Sequence, residues 1–311
     1  MKNIIPEIDR NLLMQELNDD TFIRRTNNGN KEIFVVTHQD SPNVIQEIGR
    51  LREITFREAG GGTGKEIDID EYDIEENPFK QLVVWDPEHQ EIVGGYRFKE
   101  GSEILKTSGD EPNTPTSHLF CLCKDFIKDY LPQTIELGRS FVQPNYQPNY
   151  DLRKGLYSLD NLWDGLGCLT VDYPKVKHFF GKITMYPSFN TEARDFILFF
   201  LNLYFKDTKG LIEAKFPISY DFEEAHLKTI FGGDDYIQDY KSLNYKVRSL
   251  GENIPPLVNS YMNLSPTMKT FGTSVNERFG DVEETGILIK IEDIYPSKIE
   301  RHINNIIRER I

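Results

Sequence analysis

The stretch ELGRSFVQPNY, residues 136–146, decides how this chain is read. With the residues before it, it has the β-branched and aromatic content of a strand, Thr134–Gln143. Yet it carries Glu136 and Arg139, and charges in a core strand are costly unless they are paired. Strand side chains alternate, so residues three apart point to opposite faces. One extra residue, a β-bulge, would bring both to one face, and Gly138 between them would tolerate it. Such a bulge would fall over Leu137–Ser140.

Working outward, KQLVVWD (80–86) and EIVGGYRF (91–98) read as two strands joined by PEHQ, a hairpin. EIFVVT (32–37) is a further strand. Val44, Ile48 and Leu51 follow i, i+4, i+7, which places a helix from about Asn43 to Glu58 with Ser41-Pro42 as its start signal. A short helix is expected over 7–18, a loop over 107–117, a helix in HLFCLCKDFIKDYL (118–131) and another near 155–170. HFFGKITMY (178–186) is a strand, and SFNTEARDFILFFLNLYF (188–205) a long helix with Ser or Asn at its cap. Beyond it, DFEEAHLKTIF (221–231) is helical, PPLVNSYMNL (255–264) starts a helix on proline, TGILIKIEDI (285–294) is a strand, and a polar helix ends the chain. This order predicts an α/β chain, a central mixed sheet with helices on both faces. Its organisation reads as an N-terminal helical arm (1–30), a core (31–205) and a C-terminal extension (206–311) that completes or covers the core.

The chain has 311 residues, 38% hydrophobic and 12% aromatic, enough for a large core. A net charge of −14 argues against nucleic-acid binding, which needs a basic footprint. Cys121, Cys123 and Cys168 make no disulfide framework; with no signal peptide visible, the cytoplasm is the expected compartment. They read as small core residues. FILFFLNLYF (196–205) is too short to span a bilayer and reads as a buried helix, or as one lining an apolar-ligand site or touching a membrane surface. The histidines show no zinc spacing, and no metal is expected. AGGGTGKE (59–66) is not a nucleotide P-loop. Ala59 stands where its first glycine belongs, Glu66 where its hydroxyl belongs, and a helix precedes it instead of a strand.

Four clusters occur in order: R-x-x-x-F (Arg52, Phe56), D-x-x-D (Asp70, Asp73), G-x-x-R (Gly94, Arg97) and E-x-x-R (Glu136, Arg139). Singly each is a solvated charge or a local pair. Together they resemble the acyl-homoserine-lactone synthases and their relatives in the GNAT superfamily of acyltransferases. ELGRSFVQPNY, with PPLVNSYMNL, TMKTFGTS and TGILIKIEDI further on, looks still more like the ornithine and glycine lipid N-acyltransferases, often labelled hemolysins. The resemblance covers about residues 45–295. It departs from the lactone synthases at the tryptophan they carry after the first motif, which is absent here, and this weakens the case for S-adenosylmethionine as acceptor.

The resemblance implies a GNAT-like twisted mixed sheet, splayed between its fourth and fifth strands (Thr134–Gln143 and His178–Met185). The pantetheine arm of an acyl thioester would lie in the splay. GNAT folds carry a bulge at this strand, so one is expected over Leu137–Ser140, turning a backbone N–H toward the thioester carbonyl, with Ser140, Phe141 and Val142 beside the substrate. The usual pyrophosphate signature is missing; Arg153, Lys154 and Gly155 precede a helix instead and either hold one phosphate or are solvated. No tightly bound cofactor is implied, only acyl carrier protein or coenzyme A thioester as co-substrate. Arg52, Phe56, Asp70, Asp73 and Arg97 would shape the acceptor site.

Glu136 and Arg139 are the expected catalytic residues, with Glu136 the first choice for the base that takes the amine proton. Its competing role is a salt bridge to Arg52, Arg97 or Arg139, since a carboxylate among arginines has a lowered pKa and is a poor base. The expected reaction moves a long-chain, 3-hydroxy acyl group to the amine of an amino acid such as glycine or ornithine. That gives an amphiphilic aminolipid precursor able to lyse red cells without a pore. Partners would be acyl carrier protein or a CoA thioester, the amino-acid acceptor, and, as a further option, the inner face of the membrane. A lactone-synthase-like enzyme and a non-catalytic acyl-binding protein are the alternatives. The glycine loop then reads as a mobile connector over the acceptor site, with Lys65 exposed to an acidic carrier.

Overall fold

The KQLVVWD and EIVGGYRF segments form the expected hairpin, β3 (Lys80–Asp86) and β4 (Glu91–Glu100), and the rest of the sheet grows from it. The computed structural model describes all residues except 110, 222, 305 and 307–311. On one side lie β2 (Glu32–Val36) and β1 (Phe22–Arg25); on the other lie β6 (Thr134–Val142), β7 (His178–Met185), β10 (Val282–Lys290) and β9 (Lys269–Asn276). The sheet has eight strands in the order β1-β2-β3-β4-β6-β7-β10-β9. All neighbours are antiparallel except β6 and β7.

Alternation along β3 feeds two cores. Val83 and Trp85 join Val44, Ile48 and Leu51 of α2 (Pro42–Glu58), over which α1 (Arg10–Glu16) lies. Leu82 and Val84 point the other way, into the core of α6 (Ser158–Asp172) and α7 (Thr191–Phe205). That core continues through α9 (Tyr236–Ser249) and α10 (Pro256–Met262), with α8 (Glu224–Ile230) closing it through Leu227. A third cluster, around Phe120, Phe126 and Phe180, sits under a two-stranded ribbon of β5 (Phe120–Leu122) and β8 (Ile212–Ala214). The short helices α3 (Glu71–Ile74), α4 (Gly101–Ser108), α5 (Leu152–Gly155) and α11 (Pro296–Ile299) complete the chain.

Several expectations are corrected. Residues 118–131 are not one helix: Phe120–Leu122 pair with β8 as a strand, and a π-helical turn covers only Phe126–Tyr130. Residues 1–30 are not all helical arm, because β1 is the edge strand of the sheet, paired with β2. The splayed strands are therefore fifth and sixth in the sheet. Of the two expectations for residues 206–311, completing or covering the core, the strands β9 and β10 that they give to the sheet fit the first. The closing polar helix is seen as α11, a π-turn at Glu300–Asn304 and a helical, buried Ile306; residues 305 and 307–311 lie outside the described residues. Cys121 is exposed, and only Cys168 is buried. Phe196 and Ile197 are buried in α7, as expected. Among the described residues no helix is long and apolar enough to cross a membrane.

Candidate active site

β6 and β7 pair in parallel only at Thr134–Glu136 against His178–Phe180. Past Glu136 they separate, and a cavity of about 730 Å³ opens between them. Gly138 to Val142 line it from β6, Gly181, Lys182 and Thr184 from β7, and Leu159, Leu162, Ile287 and Ile289 give it apolar walls. The bulge is present. Gly95 pairs with Phe141 and Arg97 with Gly138, two steps on β4 against three on β6. The extra residue falls at Arg139–Ser140, and Arg139 takes φ +50°, a left-handed conformation uncommon for a residue other than glycine. Glu136 and Arg139 both line the cavity as a result.

The four clusters meet as a network of arginines and aspartates. α3 is only one turn, but Asp70 caps it and Asp73 returns the bond, a capping box that turns both carboxylates inward. Asp73 accepts from Arg52 Nη1 at 3.1 Å and Arg97 Nη1 at 3.3 Å. Burial alone would push its carboxyl up, but Arg52 and Arg97 outweigh this and hold it at about 2. Asp70 accepts from Arg97 at 2.8 Å. Arg139 pairs with Asp68 at 2.9 Å and lies over the Phe279 ring at 4.1 Å, while Phe56 meets Phe279 edge-to-face at 5.1 Å. Ser140 and Phe141 line the cavity, and Val142 ends the strand.

Glu136 stands apart from this network. It is 2% exposed, accepts the Thr116 backbone N–H at 3.2 Å, and has no ion pair among the described residues. The expected salt bridge from Glu136 to Arg52, Arg97 or Arg139 is thus not formed. Asp68, Asp70 and Asp73 supply the counter-charges instead.

Two further segments make internal contacts. The N–H groups of Arg153 and Lys154 are bonded by the Asp151 carboxylate, and the Lys154 ammonium pairs with Glu91 at 3.2 Å. Gly155 packs so closely that a Cβ there would lie 2.5 Å from the Pro148 nitrogen. Of the two readings of Arg153, Lys154 and Gly155, the phosphate cradle would have to compete with Asp151 for the N–H groups and with Glu91 for the Lys154 ammonium. The glycine loop is likewise tied down. Buried Glu53 accepts from Thr63 N at 3.1 Å, Thr63 Oγ1 at 2.7 Å and Gly64 N at 2.8 Å, and pairs with Arg57 at 2.6 Å. Gly60, Gly62 and Gly64 all have positive φ, so the glycines serve a fixed turn around Glu53. Lys65 is exposed, as expected.

A second cavity, about 750 Å³, adjoins the first and shares Arg97, Pro115, Arg139, Lys182 and Phe279 with it. It is more polar. His118 lines it, its Nε2 2.6 Å from the Tyr72 hydroxyl, which also bonds Asn113. Burial and the Arg278 charge hold the His118 imidazole below its ordinary pKa. Sequence reasoning missed His118, Asp68, Phe279, Lys182 and Glu284. The only available signal was a lysine or glutamate inside an otherwise apolar strand, at Lys182 and Glu284.

A model of the GNAT acetyltransferase domain matches residues 51–153. The chain is 54% identical over 309 residues to a glycine N(alpha)-acyltransferase of Phocaeicola vulgatus, covering 99% of this chain and 95% of the relative. It is 53% identical over 307 residues to a protein of the same name from Bacteroides thetaiotaomicron, covering 99% and 91%. Among solved structures, the acyl-homoserine lactone synthase BjaI with MTA overlays with a TM-score of 0.39 at 10% identity, covering 88% of this chain and 87% of that one. The synthase LasI gives 0.28 at 15%, covering 50% and 72%. With a GNAT domain holding the arginine–aspartate network and over half its residues shared end to end with both relatives, the chain is an acyltransferase and belongs to the glycine N(alpha)-acyltransferase family.

Proposed function

We propose that the protein joins a long-chain fatty acyl group, carried as a thioester on acyl carrier protein or coenzyme A, to the amine of an amino acid. Glycine is the first acceptor to try, as the names of both relatives suggest, and a 3-hydroxyacyl chain the first donor. One observation carries the reading: the β6 bulge lies where the apolar splay cavity meets the polar one, with the unpaired carboxylate of Glu136 on the same wall. The thioester chain suits the apolar walls, and the acceptor enters through the polar cavity.

The step balances simply. The ammonium of the amino acid gives a proton to Glu136, directly or through water. The amine nitrogen attacks the thioester carbonyl, and a bulge N–H stabilises the oxyanion. The C–S bond then breaks, the nitrogen loses a second proton, and the sulfur leaves as a thiol. The test incubates purified protein with matched acyl-carrier-protein and acyl-CoA thioesters and a panel of amino acids, reading amide product by mass spectrometry. Amide with glycine is expected. Intact donor binding with no amide from any amino acid would overturn the reading.

A further inference from the structure

Lys182 and Glu284 face one another across β7 and β10. The register sets Lys182 opposite Gly286 and Glu284 opposite Thr184, so the two charges lie diagonally on one face. Their contact is loose for so buried a pair: 3.4 Å from Nζ to Oε2, with the side chains 12% and 6% exposed. Glu284 Oε2 has no hydrogen-bond partner among the described residues. The nearby pairs differ. Arg52–Asp73, Arg97–Asp70 and Arg139–Asp68 lie at 3.1, 2.8 and 2.9 Å. A buried carboxylate short of hydrogen bonds is costly and needs a reason.

The surroundings supply one. Lys182 lines both cavities and Glu284 lines the first. Tyr186 is close enough that the Glu284 charge, after burial, helps push its phenol up to about 12. Among the cations that line both cavities, Arg97 and Arg139 are each held by two aspartates, whereas Lys182 has only Glu284 among the described residues.

We propose that the Lys182–Glu284 pair receives both charges of the acceptor amino acid, the Lys182 ammonium taking its carboxylate and the Glu284 carboxylate its ammonium. This rests on the amino-acid N-acylation proposed above. A zwitterion inserted into an ion pair brings no net charge into a buried site, and each protein charge exchanges one partner for another. An amine without a carboxylate leaves Lys182 unmatched, which makes the pair a specificity determinant. The amide product keeps its carboxylate but has lost its ammonium. Glu284 then returns to Lys182 and loosens the product.

The experiment compares wild type with Lys182→Met, Lys182→Arg and Glu284→Gln, at saturating thioester, with glycine and glycinamide each varied. Lys182→Met should raise KM for glycine about 10- to 100-fold, the range for losing a hydrogen bond to a charged group, and, with the thioester varied at saturating glycine, leave the donor KM unchanged. It should also erase the wild-type preference for glycine over glycinamide. Lys182→Arg should keep most of that preference. An active wild type whose glycine KM and glycinamide discrimination survive Lys182→Met overturns the inference. Where Lys182→Met does not fold, equal wild-type use of glycinamide and glycine overturns it. Should wild type form no amide at all, the N-acylation reading fails separately. Calorimetric titration of glycine into wild type and Lys182→Met then decides whether the pair binds a zwitterion: weaker binding by the variant supports it, and equal or absent binding overturns it.

Discussion

Replacing Asp73 with Asn tests the arginine–aspartate network at its centre. Asp73 is 1% exposed and accepts five hydrogen bonds: from Arg52 Nη1 and Nη2, Arg97 Nη1, Gln81 Nε2 and the Asp70 backbone N–H. Asn keeps the shape but removes the charge shared by two buried guanidinium groups. Removing one partner of a buried ion pair costs about 3–5 kcal/mol, so urea unfolding at pH 7 should show a loss of that size. The pH dependence has a fixed sign. The Asp73 carboxyl is held at about 2 against an ordinary 3.8, so its contribution is fully present above pH 4 and is lost as pH falls through 2. At 1.36 kcal/mol per pH decade that contribution is about 2.5 kcal/mol. Because the native carboxyl is still half ionised at pH 2, the gap between wild type and Asp73→Asn should narrow by about 1.8 kcal/mol between pH 4 and pH 2. A variant within 1 kcal/mol of wild type at pH 7, or a gap that does not change with pH, would refute the role given to the two arginines.

Other outcomes follow from the site. Glu136→Gln should lower kcat about 10²- to 10⁴-fold, the usual scale for a general base, while thermal unfolding is unchanged; full activity would remove Glu136 from the chemistry. Gly62→Ala, at φ +90°, should lose stability by about 1–2 kcal/mol together with activity, measured by denaturation and rate; lost rate at unchanged stability would restore the mobile-loop reading. Lys154→Met should leave the KM for acyl-CoA unchanged, because the ammonium is engaged with Glu91. A tenfold rise would return Lys154 to the donor site.

What the sequence revealed was whatever local periodicity carries. The β3–β4 hairpin, α2 and α7 each have a clear repeat, and the bulge followed from the parity of Glu136 and Arg139 taken with the family resemblance. What stayed hidden depends on partners far along the chain. β1 is four residues with two arginines, and only its pairing with β2 makes it a strand. Phe120–Leu122 looked helical because the residues after them are; β8, some 90 residues on, decides otherwise. Asp68 lies in an acidic run where nothing but burial against Arg139 distinguishes it. The Lys182–Glu284 pair needs the β7–β10 register before it can be seen. At Arg153–Lys154 the cue was local and was passed over: Asp151 already stood at the cap.

The β7–β10 pairing also sets an order of events during synthesis. Residues 178–185 leave the ribosome long before residues 282–290, their partners along the whole of β7. At about 5–20 residues per second, the interval is on the order of 5–20 s. Through it β7 is an open edge bearing a lysine whose counter-charge has not yet been made, the kind of exposed strand that pairs with other chains. The nascent protein has its network of arginines and aspartates well before it has a finished wall to the splay cavity. Prolonged stalling between residues 185 and 282 is thus the point at which this chain is most exposed to aggregation, and a chaperone that shields strand edges would act there.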